Sequence, residues 1–118
     1  MMPLLYIAGP YSDPDPIHGV ERNVSRASAI ALEAWRAGWA AICPHKNTYP
    51  FHHCPDIPES TWLAGDIAML KRCDAILMIP GWSNSKGAKN EAREAQKAGL
   101  KVIDYHLAGI PAPAEVLR

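Results

Sequence analysis

The sequence predicts an α/β fold in which helices cover both faces of a parallel sheet of four to five strands, on three grounds. Short apolar runs of strand length alternate with longer segments of helical period. The first and third of these runs are apolar at nearly every position, as strands buried on both faces require. The polar, proline-bearing segments "GPYSDPDP", "PHKNTYPFHH" and "PGWSNSKG" each follow an apolar run. In a parallel sheet with right-handed crossovers, that places all three loops at the carboxyl ends of the strands, where ligands bind.

The elements follow in order. "LLYIAG", Leu4 to Gly9, reads as a buried strand ending in Gly-Pro. In "VERNVSRASAIALEAWRAG", Val20, Val24, Ala27, Ile30, Ala31, Ala34 and Trp35 form a helical stripe that stops at Gly38. "WAAICP" is a second strand, followed by a Pro/His-rich loop that runs to a helix from Glu59 or Ser60 to Cys73. "AILMIP" is a third strand, a helix begins at about Ser85, and "KVIDY" is a fourth strand. The tail "PAPAEVLR" adds a last short helix.

Its 118 residues make one domain, 1–118, large enough for a single layered core. The formal net charge is zero, so the chain lacks the basic footprint of a nucleic-acid binder. No apolar run approaches the roughly 18 residues of a membrane span. Three cysteines and no export signal read as reduced thiols in a cytoplasmic protein.

Two carboxylates fall on the wrong side of their helices. Glu91 shares a face with Gly87, Ala88, Ala95 and Ala98, the small-residue face that a helix lays against a sheet. Lys86, Lys89, Arg93, Gln96 and Lys97 take much of the opposite face. The plain alternative is a glutamate whose stem lies on the sheet while its head reaches solvent. Gly87 weighs against that, because glycine is costly in a helix and leaves room for a ligand beside the carboxylate. Asp66 sits among Trp62, Leu63, Met69 and Leu70, where a structural aspartate bonded to backbone is the competing reading. Paired inward carboxylates suit acid/base or nucleophilic work on a glycosidic bond.

The remaining candidates are weaker singly. Ser85 suits a helix N-cap and, beside free backbone N–H groups, a phosphate contact, although "SNSKG" is not a Walker loop. Tyr6 lies within the first strand, where its hydroxyl needs a partner that an inward carboxylate supplies. Cys43, His45, His52, His53 and Cys54 fit no common structural zinc spacing, so neither metal nor other cofactor is expected. His45 reads as a polar group lining the pocket, and Tyr11 and Trp82 as aromatics that stack on a base or sugar, or as loop anchors.

"YIAGPYS", "PHKNT" and "DIAMLKRCDAILMIPGWSNSKGAKNEAREAQKAGLKV" resemble the nucleoside 2-deoxyribosyltransferase-like superfamily, and most closely its DUF4406 branch. That resemblance implies a flavodoxin/Rossmann-like three-layer fold and a homodimer or larger assembly. It implies cleavage of the N-glycosidic bond of a nucleoside or nucleoside 5′-monophosphate, by hydrolysis or base exchange. Glu91 would be the nucleophile, Asp66 the group that binds and protonates the base, and Tyr6 the holder of Glu91. Ser85 and Gly87 match S-x-G-x-x-x-E, in which the serine of monophosphate hydrolases contacts phosphate. Gly9, Pro10 and Tyr11 take the place of those hydrolases' glycine-rich turn, and the following Asp13 and Asp15 would repel a phosphate that they faced. From the surroundings of the pair, burial is expected to keep Asp66 protonated and the helix dipole to keep Glu91 ionised. The rival expectation is a module that binds a nucleotide on the same fold without cleaving it.

Overall fold

The computed structural model describes residues 1–51 and 53–117. In chain order its elements are β1 (Leu4–Ala8), α1 (Gly19–Arg36), β2 (Ala40–Ile42), α2 (Pro44–Thr48), α3 (Glu59–Leu70), β3 (Ala75–Met78), α4 (Lys86–Lys97), β4 (Lys101–Asp104) and α5 (Pro113–Val116). Short 3₁₀ turns at Tyr49–Phe51 and Trp82–Asn84 follow α2 and β3. The four strands pair in parallel in the order β2-β1-β3-β4. β1 and β3 are the central strands, and Tyr6 stands between Ile42 and Ile76.

The period of two along β1 and β3 divides the core into two layers. Leu5, Ile7, Ala75, Leu77 and Ile79 point to one face, where Ala27, Ile30, Ala31 and Ala34 of α1 cover them. Trp39 is wholly buried in the same layer and donates its indole N–H to the Pro111 carbonyl at 2.8 Å, which ties the tail to the core. Val116 and Leu117 close that layer. Tyr6, Ala8, Ile76 and Met78 point to the other face, against Leu70, Cys73, Ala88 and Ala95. A tyrosine on this second face therefore meets the helices that carry Asp66 and Glu91.

Three expectations change in detail. Trp35 is about half exposed, and the tryptophan of the core is instead Trp39, one residue beyond the left-handed Gly38 that follows the helix. The segment after β2 is a helix and not a loop at its start: Pro44 occupies the first turn of α2, where a missing N–H costs nothing. The apolar stripe around Asp66 is only partly covered, since Leu63 is 52% exposed and Leu70 is the one fully buried residue of α3. No helix among the described residues is long and apolar enough to cross a membrane.

Candidate active site

The loops leaving β1 and β3 interlock at the carboxyl edge of the sheet. A Cβ on Gly9 would lie 2.3 Å from Ile79 Cγ1, so only glycine lets the two strand exits pack so closely. Gly81 is left-handed (φ 91°), and a Cβ there would stand 3.0 Å from the Pro10 ring. Buried His45, in the first turn of α2, donates from Nε2 to the Pro10 carbonyl at 2.8 Å and places its ring 5.5 Å from that of Tyr11. Burial holds the His45 pKa below its ordinary value, against the opposing pull of the Pro10 and Gly9 backbone. A neutral imidazole thus braces the turn that carries Tyr11. Asn23, buried in the apolar stripe of α1, secures the other side by donating to the Tyr11 carbonyl at 3.0 Å.

Asp13 and Asp15 are engaged with the start of α1. Asp15 Oδ1 accepts the N–H groups of Ile17 (2.9 Å) and His18 (3.2 Å), which hold its carboxyl below the usual range, and its Oδ2 meets Arg22 at 3.1 Å. Asp13 accepts the Asp15 N–H at 2.9 Å and lies over Gly19, whose absent side chain gives it room. These carboxylates accept backbone donors in the turn that leads into α1 and meet the guanidinium of Arg22.

Tyr6, Asp66 and Glu91 come together on the second face of the sheet. Tyr6 has no exposed surface and donates its hydroxyl to Glu91 Oε2. Burial, then the charges of Glu91 and Asp66, push the Tyr6 hydroxyl far above its ordinary range, so it remains a donor at any physiological pH. Burial raises the Glu91 carboxyl from 4.5 to about 7, with a further push from Asp66 and an opposing pull from the Tyr6 hydrogen bond. Burial likewise raises Asp66 from 3.8 to about 6. Asp66 Oδ1 is buried with no hydrogen-bond partner, so the backbone bond of a structural aspartate is missing at that oxygen.

The expected separation of the two carboxyls by environment does not occur. Glu91 sits midway along α4, beyond the first turn in which the dipole acts, and desolvation outweighs it. Both groups rise, and Glu91 ends above Asp66, the reverse of the expected order.

Ser85 caps α4, its Oγ accepting the Ala88 N–H at 3.2 Å. Gly87 faces open space, since a Cβ there would meet only Ser85 Oγ, at 4.0 Å. Trp82 is partly buried against the second core layer, the position of a loop anchor. One constellation has no counterpart in the motif reading: Phe51 and Trp62 stack, with centroids 6.1 Å apart and planes at 23°. Trp62 stands one helical turn before Asp66, a spacing visible in the sequence, while Phe51 is brought to it only by the turn after α2. No group of three or more His, Cys, Asp or Glu side chains among the described residues is arranged to hold a metal ion. His45 spends Nε2 on Pro10, and His52 lies outside the described residues.

The architecture is shared with solved enzymes. A 2-desoxiribosyltransferase from Leishmania mexicana superposes with a TM-score of 0.62 at 16% identity, over 87% of this chain and 63% of that one. A 2-deoxyribosyltransferase from the psychrotolerant bacterium Bacillus psychrosaccharolyticus superposes with a TM-score of 0.54 at 17% identity, over 86% of this chain and 70% of that one. The present chain thus spans under two thirds of the length of the Leishmania protein. No curated protein sequence matches it. Residues 3–104 do match the family described as Domain of unknown function (DUF4406), and that span, most of the polypeptide, makes the chain a member of the DUF4406 family.

Proposed function

We propose that this protein cleaves the N-glycosidic bond of a nucleoside or nucleoside 5′-monophosphate, with Glu91 as nucleophile. The observation that carries the reading is the buried Tyr6 hydroxyl donating to Glu91 beside the Asp66 carboxyl, which has an unpartnered oxygen. The fold shared with two proteins named as deoxyribosyltransferases supports the same reaction class.

A Glu91 oxygen attacks the anomeric carbon C1′ as the C1′–N bond breaks, and the bonding electron pair leaves with the base. The leaving base takes the proton held by Asp66. The productive arrangement is Glu91 ionised and Asp66 protonated, the reverse of the resting order of their pKa values; the Tyr6 donor favours it by stabilising the Glu91 anion, and the burial of Asp66 by opposing its ionisation. Water, giving one proton to the now ionised Asp66, then attacks C1′, the bond from C1′ to the Glu91 oxygen breaks, and the sugar leaves with Glu91 restored; a second base in place of water gives transfer. Ser85 at the start of α4, with Lys86 and Lys89 on its first turns, supports a 5′-phosphate there, where helix dipole and lysine charge both favour an anion.

The test is incubation of ribo- and deoxyribonucleosides and their monophosphates with the protein and with Glu91→Ala, followed by chromatography for free base. Release from one substrate is expected, reduced about 10⁴-fold or more in the variant. Intact substrates throughout, with one retained by the protein, would replace the enzyme by a nucleotide-binding module.

A further inference from the structure

Apart from Tyr6, Trp39 and Cys73, the buried polar side chains among the described residues are Asn23 and His45, each 6% exposed. A polar group in that position is unfavourable unless it finds a partner. The two come from different helices, α1 and α2, and neither has a step in the reaction above. Both direct their donors at one turn. His45 Nε2 donates to the Pro10 carbonyl at 2.8 Å, and Asn23 Nδ2 to the carbonyls of Tyr11 at 3.0 Å and Ser12 at 3.5 Å. Three successive carbonyls just beyond β1 are thus held by side chains, where a strand or helix would hold them with its own backbone.

The turn so held bears on two parts of the site. The Tyr11 ring lies against that of His45, and burial, then the charge of Tyr49 just beyond α2, pushes the Tyr11 hydroxyl up to about 12. The Pro10 ring takes the space that a side chain on Gly81 would need, and Gly81 opens the short turn that ends at Ser85, the cap of α4. A restraint on Pro10 therefore reaches the helix that carries Glu91. Without these bonds the turn would be ordered only by a ligand, and affinity would fall by the free energy of ordering it. Buried donors order it beforehand.

We propose that His45 and Asn23 are positioning residues, which hold the Pro10–Ser12 turn preformed for the substrate and act on it only through that turn. His45 then serves the pocket from behind the wall and does not line it. The inference rests on the proposed site at this edge and adds what sets its affinity. The turn meets the substrate alike before and during reaction, so its loosening falls on binding and leaves bond cleavage by Glu91 largely as it was.

The test titrates the ribo- and deoxyribonucleosides and monophosphates of the base-release assay by calorimetry, with kcat alongside, at a temperature where circular dichroism shows each variant folded. His45→Leu and Asn23→Ser should each weaken binding about tenfold and change kcat less than about threefold. His45→Gln, whose amide nitrogen reaches the place of Nε2, should restore most of the affinity. Because both residues act through one turn, the double variant should lose much less than the product of the single losses. Asn23→Ser, the milder change, decides where His45→Leu does not fold. Unchanged affinity in the folded variants overturns the inference even where Glu91-dependent base release is observed. His45→Gln as weak as His45→Leu, single losses that multiply, or a fall in kcat larger than that in affinity also overturn it. Binding that responds as expected without any release of base sustains it and sinks only the cleavage. A wild-type protein that binds none of the panel overturns both.

Discussion

Tyr6 and Glu91 lie 85 positions apart in the sequence, and their hydrogen bond sets the electrostatics of the candidate site. Tyr6→Phe keeps the ring in its fully buried slot and removes only the donor. Because the Tyr6 bond lowers the Glu91 pKa, its loss raises that pKa further above the ordinary carboxyl range. Activity that needs ionised Glu91 should then show an acid limb displaced to higher pH, with a rate at pH 6 reduced about tenfold or more. A pH–rate profile of the variant checks this; an unmoved limb would leave Tyr6 a packing residue. The cost in stability should be about 1 kcal/mol, read from urea unfolding, since one buried hydrogen bond is lost without a cavity.

Helix α4 has two functions to reconcile, closing the second core layer and offering its start to a substrate. Its Ser85 cap serves both, because the oxygen accepts the Ala88 N–H while the hydroxyl hydrogen stays available to a phosphate. Ser85→Ala should destabilise the protein by about 1 kcal/mol through loss of the cap. Ser85→Asp should restore the stability, since aspartate caps equally well, yet raise KM for a monophosphate severalfold by charge repulsion. An unphosphorylated nucleoside should show no such rise. Comparing KM for the two substrates across both variants separates the cap from the phosphate contact. The turn ahead of α1 is held in another way: Asp15 accepts the N–H groups of Ile17 and His18, which precede the helix, and Arg22 of α1 offsets its charge.

Across the whole molecule, two carboxyls buried with raised pKa values shape the dependence of stability on pH. Glu91 rises from 4.5 to about 7 and Asp66 from 3.8 to about 6 on folding. For such acids the folded chain binds the proton more tightly than the unfolded chain. Their favourable contribution is complete below the unfolded values and is lost as pH climbs through the folded ones. Stability should therefore decline across the window from about pH 4 to 7; Asp15, whose pKa is lowered from 3.8, has the opposite trend, but its contribution is lost only as pH falls below that window. Glu91→Gln removes one titration and keeps the shape of the side chain. It should flatten the profile and stabilise the protein at pH 8 by about 2 kcal/mol, while abolishing base release. Urea unfolding at pH 5 and pH 8 measures it, and an unchanged difference between the two would contradict the burial of Glu91.

The parallel sheet and its order of elements were legible because apolar runs of strand length and helical stripes are local patterns, readable within a few turns of chain. So were Glu91 and Asp66, each out of place on its own helix, and the small face around Gly87. What the sequence alone determined is thus the α/β architecture, the carboxyl-edge loops and the two anomalous acids. Other features depend on residues far apart in the chain meeting in space. Pro44 reads as a breaker until its place at a helix start is known, and Trp35 and Trp39 are indistinguishable until Pro111 claims one of them. His45 became a brace for the Pro10 turn and Asp13 and Asp15 became partners of α1, because a side chain's role follows from which backbone groups it reaches. Above all, only tertiary structure decided the protonation of the acid pair. Desolvation depends on everything packed around a carboxyl, and here it overrode the helix position that a sequence can show.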